Sequence, residues 1–263
     1  DLKVYSGVVN TGSPATWTGN FDLTGLKAYW KFDEASGNII NQATAVGSTD
    51  SLGTSADSVS TANLTYAQTG KIGNSISWNG TTSSSKAIIG TSASQFNFMH
   101  STGLVWSHNF WYKKTSTDAN FRTVIANTWA GAQNGCRVAF RNSTSEFDIL
   151  VINNGNAVVD SPLGTTGLVP VDTEWHMITS TVDISPASGN VLMYVDGILV
   201  DTGNKTATSP STSDAQNVMS IGDDQGGDGN HYGLLDEMSI WNRVLTSAEI
   251  TTLYNSGRGK IVY

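Results

Sequence analysis

The chain has 263 residues, only 14% of them charged, with a formal net charge of −8 and a pI near 4.8. That length can bury one large β-sandwich core, while an acidic chain whose nearest basic pair is the isolated Lys113-Lys114 is poorly suited to a nucleic-acid backbone. A single cysteine, Cys136, excludes an intrachain disulfide, and the lack of any 18-residue apolar run excludes a membrane-inserting helix.

Residues 1–24 read as an extended N-terminal arm or edge strand. Short apolar pairs, Val4-Tyr5 and Val8-Val9, alternate with the turn formers Thr11-Gly12-Ser13-Pro14 and Thr18-Gly19-Asn20. The start at Asp1-Leu2-Lys3, without Met, reads as a processed or trimmed chain. Residues 25–263 read as one domain. Leu26, Ala28, Trp30 and Phe32 alternate on one face of a half-buried strand. Residues 35–70 are poor in large apolar side chains and read as a long surface excursion.

Alternation returns at Ile72, Ile76 and Trp78, and Asn79-Gly80 is a hairpin-turn dipeptide. Further strands are expected at Val105–Lys113, Phe121–Asn127, Cys136–Arg141, Phe147–Ile152, Trp175–Val182, Val191–Val195, Met219–Ile221 and Leu235–Trp241. Asp196-Gly197 is a second hairpin signal. Near the end, Thr246-Ser247-Ala248-Glu249 is a capping box. It opens a short helix with Ile250, Leu253 and Tyr254 on one face and Gly257 placed for the C-terminal stop. Many short strands, Gly-rich turns and one terminal helix predict an all-β, two-sheet antiparallel sandwich.

Six segments resemble, in order, pieces of the laminin-G-like, concanavalin A-like jelly-roll domains. They are GLKAYWKFDEASGNII, GKIGNSISWNG, WSHNFWYKKTST with its Phe110-Trp111 pair, DTEWHMITSTVD with Trp175-His176, VLMYVDGILVDT, and LLDEMSIWNRVLTSAEI. The likeness spans about residues 25–257. It implies a concanavalin A-like jelly roll. Such domains serve as carbohydrate-binding modules, as adhesion domains, and as appendages on enzymes and virions, so the fold does not fix the function.

The glucan-cleaving relatives carry Glu-x-Asp-x-x-Glu on one strand, sometimes with one x fewer. Here Glu146-Phe147-Asp148 supplies the first two acids, but Leu150 or Val151 stands where the last is needed. Glu146 and Asp148 therefore read as a solvated strand face, and no catalytic residue is assigned. His100, His108, His176 and His231 are scattered without metal-ligand spacing.

Calcium is the expected cofactor, because hard cations want clustered carboxylate and carbonyl oxygens. The resemblance implies a structural ion between Asp33 or Glu34, the backbone near Gly73-Asn74, and Asp236. The alternative is that Asp33 and Asp236 cap turns or pair with Lys31 and Arg243. A second candidate is the loop 223–230, where Asp223, Asp224 and Asp228 lie among three glycines. It lacks the closing Glu of an EF-hand, and a plain solvated loop is the competing reading.

Of the eight tryptophans, Trp17 and Trp129 fall in expected loops. An exposed indole offers a flat apolar face to a sugar ring, with nearby Asn and Asp accepting hydroxyl hydrogen bonds. Trp129 with Asn134 is the first choice of platform, and His231 and Tyr232 beside the acidic loop are the second; a Trp folded back under its own loop is the alternative. Asn63, Asn79, Asn142 and Asn204 begin Asn-x-Ser/Thr sequons, matches that chance supplies in so polar a chain.

The expectation is a non-catalytic extracellular module that binds a glycan or cell-surface polysaccharide, at a cell or virion surface. The alternative is a structural or decoration subunit of a virion, surface layer or filament that self-assembles through residues 1–24 by strand addition. A glycan-cleaving enzyme is the third reading.

Overall fold

The computed structural model describes residues 21–60, 63–80, 85–115, 122–129, 134–141, 146–163, 167, 169–170, 172–184, 190–203, 210–226 and 229–262. Trp17, Asp228 and most of the expected arm lie outside them. Among the described residues the strands are β1 (Leu26–Trp30), β2 (Ser58–Ser60), β3 (Leu64–Thr69), β4 (Asn74–Asn79), β5 (Ala87–Ile89), β6 (Val105–Lys113), β7 (Arg122–Ala126), β8 (Gly135–Arg141), β9 (Glu146–Asn153), β10 (Asn156–Leu163), β11 (Trp175–Asp183), β12 (Asn190–Val195), β13 (Ile198–Gly203), β14 (Ser220–Ile221) and β15 (Tyr232–Trp241). One helix, α1 (Ser247–Tyr254), follows.

The strands form two antiparallel sheets. One runs β13-β12-β11-β6-β15-β4-β3, with β1 added against β15; the other runs β10-β9-β8-β7-β14-β5-β2. This is the jelly-roll sandwich expected from the strand pattern. The main core lies between the sheets and takes alternate residues of each strand. On β6, Trp106, Phe110 and Tyr112 point into it, with His108 stacked on Phe110 at 5.5 Å. The intervening Trp111 faces outward into a second apolar layer, stacked on Tyr254 of α1 at 5.9 Å. That layer explains why strands of the eight-stranded sheet are buried on both faces. Phe21, within the expected arm, belongs to it too and packs on Trp241.

Local chemistry accounts for several boundaries. The capping box is present: Thr246 Oγ1 accepts from the Glu249 amide at 3.2 Å, and Glu249 accepts from the Thr246 amide at 2.8 Å. Glu249 also binds Arg243 through both guanidinium nitrogens, at 2.6 and 3.0 Å. Arg243 further donates to the carbonyls of Thr24 and Asp22, stapling the start of the domain to the helix. Asp196 and Gly197, with φ of 53° and 78°, make the expected β12–β13 hairpin.

Four expectations change. Asn79-Gly80 is not a tight hairpin, because β4 and β5 belong to different sheets and the chain crosses the sandwich there. Helix α1 stops at Asn255, itself left-handed at φ 50°, before Gly257 is reached. Leu26 falls in the outer layer while Ala28, Trp30 and Phe32 face the main core, because the β1–β15 register shifts between Leu26 and Ala28. Residues 35–70 are no mere surface excursion: Ile39, Ala43 and Ala56 are fully buried, and β2 and β3 join the two sheets.

Candidate functional site

Two places gather the residues singled out by sequence. The first is on the outer face of the seven-stranded sheet. Cys136, Val138 and Phe140 of β8 and Phe147, Ile149 and Val151 of β9 fill the main core, so Arg137 and Asp148 alternate to the opposite face. Both are buried, at 4% and 0% exposure. Arg137 Nη2 lies 3.2 Å from Asp148 Oδ2, and Nη1 lies 3.6 Å from Asp224 Oδ2. Asp148 is therefore not the solvated strand residue expected; it is a buried partner of a buried guanidinium, held where an unpaired charge would be costly.

The described residues of the acidic loop meet this face through Asp224, which pairs with Arg137. Asp224 Oδ1 accepts from the Gly226 amide at 2.9 Å. Asp223 Oδ1 accepts from the Gln225 amide at 2.9 Å, and its Oδ2 is 3.2 Å from Lys86 Nζ. The glycines permit the close approach: a Cβ on Gly229 would stand 2.5 Å from Thr123 Oγ1, and one on Gly226 3.0 Å from Trp129. The carboxylates of Asp223 and Asp224 are thus engaged by cations and turn amides rather than converging on a central point. Trp129 is half-buried and walls the loop at Gly226.

The other expected sugar contacts separate. Asn134 is 6% exposed, and its Oδ1 accepts from the Asn154 amide at 3.1 Å. His231 is fully buried in the main core's edge, against Trp78, Tyr112 and Phe140. Burial first, and the Arg122 charge second, push its imidazole down to about 3. A neutral ring enclosed by aromatics cannot reach a ligand, so the surface role expected of His231 is corrected to packing. Its sequence neighbour Tyr232 stays half-exposed under the Arg122 guanidinium, 5.3 Å from the ring centroid. Arg122 also donates to the carbonyls of Asn230 and Gly80, at 2.7 and 3.1 Å.

The second place is the turn between β3 and β4. Asp33 Oδ1 accepts from the Asn74 amide at 2.7 Å, and Asp236 Oδ2 accepts from the Ile72 amide at 2.9 Å. Gly70 and Gly73 make room: added Cβ atoms would stand 2.8 Å from Asp236 Oδ2 and 2.5 Å from Asp33 Oδ1. The resemblance-based grouping of Asp33, Gly73-Asn74 and Asp236 is therefore a real juxtaposition. Arg243 is occupied by Glu249 instead of Asp236.

Asp236 is fully buried, and burial, with Asp33 among the lesser causes, raises its carboxyl to about 8. Glu237, at φ 51° in the β15 bulge, is raised well above the usual range by burial and by Asp236, and it accepts a hydrogen bond from the Tyr29 hydroxyl. Asp236 Oδ1 and Glu237 Oε1 are buried with no hydrogen-bond partner. An orphaned carboxylate oxygen beside a second carboxylate suits a hard cation. Among the described residues, however, no three His, Cys, Asp or Glu side chains gather as a metal set. Any ion here would draw its remaining oxygens from backbone and water.

The residues that sequence reading missed are the cations Arg137, Lys86 and Arg122. The signal for Arg137 was its place in Gly-Cys-Arg-Val-Ala-Phe, where alternation with Cys136 and Val138 puts a charge opposite the core.

A family model described as the concanavalin A-like lectin/glucanases superfamily matches residues 90–251, a narrower stretch than the motif likeness. Among solved structures, the binding domain of Paraclostridial mosquitocidal protein 1 superposes with a TM-score of 0.63 at 14% identity, covering 89% of this chain and 52% of that one. A botulinum neurotoxin type C structure, of a toxin whose cell entry depends on interaction with two ganglioside molecules, gives 0.60 at 12% identity, covering 88% and 51%. Trypanosoma rangeli sialidase in complex with sialic acid gives 0.57 at 17% identity, covering 89% and 33%. At these identities the likeness is one of fold, and the chain spans about half or less of each matched structure.

Proposed function

Because the chain belongs to the concanavalin A-like lectin/glucanases superfamily, we propose that it is a non-catalytic, extracellular carbohydrate-binding or adhesion module. The observation that carries this reading is Trp129. Trp30, Trp78, Trp106, Trp111 and Trp241 are at most 1% exposed, while Trp129 and Trp175 are part-buried; Trp175 packs on the outer apolar layer, and Trp129 lies beside a loop of polar side chains and glycine backbone. A part-exposed indole next to hydrogen-bonding groups suits a sugar ring. The matched structures include a toxin whose cell entry depends on two ganglioside molecules and a sialidase in complex with sialic acid, and glycan-linked proteins of this kind support the reading.

The non-catalytic part rests on β9. Glu146 and Asp148 occupy the positions of two family acids, but Asp148 is bound to Arg137 and Leu150 or Val151 fills the third position. A retaining mechanism needs two carboxyl groups facing one bond across about 5 Å. Calcium is the proposed cofactor, held by Asp33 and Asp236 across the turn 70–74; it would supply the positive charge that the buried, partnerless Asp236 oxygen lacks. Residues 25–263 form the proposed module, with Phe21 and Leu23 packed onto it.

The test is a glycan array probed with wild type and Trp129→Ala, each with calcium and with chelator, alongside a reducing-sugar assay on the glycans that bind. Binding that drops at least tenfold in Trp129→Ala, without sugar release, is the expected result. Silence of the wild type in both conditions, or release of reducing sugar that Glu146→Gln abolishes, would overturn the reading.

A further inference from the structure

His176, which the carbohydrate reading does not use, sits between two carboxylates. Its Nδ1 is 2.7 Å from Asp196 Oδ2, and its Nε2 is 3.0 Å from Asp172 Oδ1. A neutral imidazole has one N–H and can donate to only one of them; the imidazolium donates to both. The two acids belong to different segments. Asp196 opens the β12–β13 turn, where it is fixed independently of His176: its Oδ1 accepts from the Met177 amide at 2.9 Å, and its own amide donates to the Met177 carbonyl at 2.9 Å. Asp172 lies on the exposed loop that enters β11, and its Oδ1 also accepts from the Glu174 amide at 2.9 Å.

We propose that Asp172, His176 and Asp196 form a proton-operated latch that ties the loop 172–174 to the β12–β13 hairpin turn. With both ring nitrogens protonated, the loop, the start of β11 and the turn move as one unit. When one proton leaves, the remaining N–H stays on Nδ1 toward the better-fixed Asp196, and the Asp172 contact is released. The turn adjoins α1, since a Cβ on Gly197 would stand 3.2 Å from Tyr254, and it leads into the exposed Ile198 and Leu199. The latch therefore sets the order of one end of the eight-stranded sheet, where Ile198 and Leu199 are exposed apolar side chains.

Burial pushes the His176 imidazole down, but the hydrogen bonds to Asp196 and Asp172 outweigh it and the net direction is up. The other titratable groups around it are Glu174 on the same loop, Lys71 over the Trp111 ring, and the Tyr254 hydroxyl, which feels Asp196. A raised imidazole contributes stability that is present below its unfolded value near 6.5 and is lost as pH rises through the folded value.

The experiment is an NMR titration of the wild type and of Asp172→Asn, reading the His176 ring shifts and the amide exchange of Glu174. Asp172 is exposed, so the variant folds, and its spectrum verifies that. In the wild type His176 should titrate above 6.5 with both nitrogens protonated below the midpoint, and the Glu174 protection factor, exchange corrected for its intrinsic base-catalysed rise, should fall about tenfold above it. Asp172→Asn should lower the midpoint and remove the step in exchange. A wild-type midpoint at or below the ordinary value, an unchanged midpoint in the variant, or a Glu174 protection factor indifferent to His176 protonation would each overturn the latch.

Discussion

His108→Phe should stabilise the protein increasingly as pH falls. His108 is 2% exposed, stacked on Phe110 and close to Trp106 and Phe147, and neither ring nitrogen has a hydrogen-bond partner. Burial pushes its imidazole from 6.5 down to about 3. The folded protein keeps the ring neutral, while the unfolded chain takes a proton below 6.5, so stability is complete above that value and falls away toward 3. Each pH unit in that window costs about 1.4 kcal/mol per group, which is about 2.7 kcal/mol between about pH 6.5 and about pH 4.5.

The wild type alone would conceal this. Asp236 is raised to about 8 and Glu237 higher than usual, and both keep protons that the unfolded chain sheds. Their contributions run in the opposite direction and partly offset those of His108 and His231. The difference between variant and wild type cancels every group but one. Urea unfolding of both proteins at the two pH values should give a difference that grows by about 2–3 kcal/mol on acidification, over a constant set by the larger ring's packing. A difference independent of pH would refute the assignment of His108 as a neutral core side chain.

Arg137→Met should cost about 3–5 kcal/mol in urea unfolding, because it leaves Asp148 and Asp224 facing a buried site without their cation. Adding Asp148→Asn should restore part of the loss; a single-variant cost below about 1 kcal/mol would mean the network is more solvated than its burial implies. Millimolar calcium should raise the melting temperature of the wild type by several degrees and leave Asp236→Asn unmoved. In chelator the sign is set by the raised carboxyl: its contribution is present below 3.8 and lost as pH climbs toward 8, so Asp236→Asn should gain on the wild type between mildly acidic and alkaline buffer. Equal calcium shifts in both proteins would remove the ion from this turn.

How much of this was legible in the sequence depends on the range of the interaction. Trp106, His108, Phe110 and Tyr112 share a face because side chains alternate along any strand, so their common burial could be read from spacing alone. The Asp196-Gly197 turn and the Thr246–Glu249 capping box are likewise local, each closed by a few consecutive residues. The resemblance to jelly-roll domains then supplied the juxtaposition of Asp33, Gly73 and Asp236, which spacing could not. Apart from the helix stop at Asn255 instead of Gly257, which is local, the failures are long-range. Asn79-Gly80 has the chemistry of a hairpin, but which sheet receives the next strand is decided by packing across the sandwich. Asp148 looked solvated because alternation says only that it faces away from the core between the sheets. It says nothing of what covers that other face, or that Arg137 and Asp224 meet it there.

His231 shows the same limit from the opposite side. It follows a polar, Gly-rich loop, and its neighbours in sequence are those of a surface residue. Its neighbours in space are Trp78, Tyr112 and Phe140, each supplied by a different strand. A close approach by the loop's own backbone makes this possible: the His231 amide donates to the Gly222 carbonyl at 2.7 Å, and a Cβ on Gly222 would collide with the Trp78 indole at 2.3 Å. The residues on either side of the loop, Gly222 and His231, are thus joined directly, and His231 turns into the core. Asp223 and Asp224 are held against Lys86 and Arg137, and Trp129 borders the loop at Gly226. A ligand that uses this face must approach Trp129 over glycine backbone and already paired carboxylates. That favours hydroxyl-rich neutral partners over strongly charged ones, since a charged group would have to displace Arg137 or Lys86 from an existing ion pair.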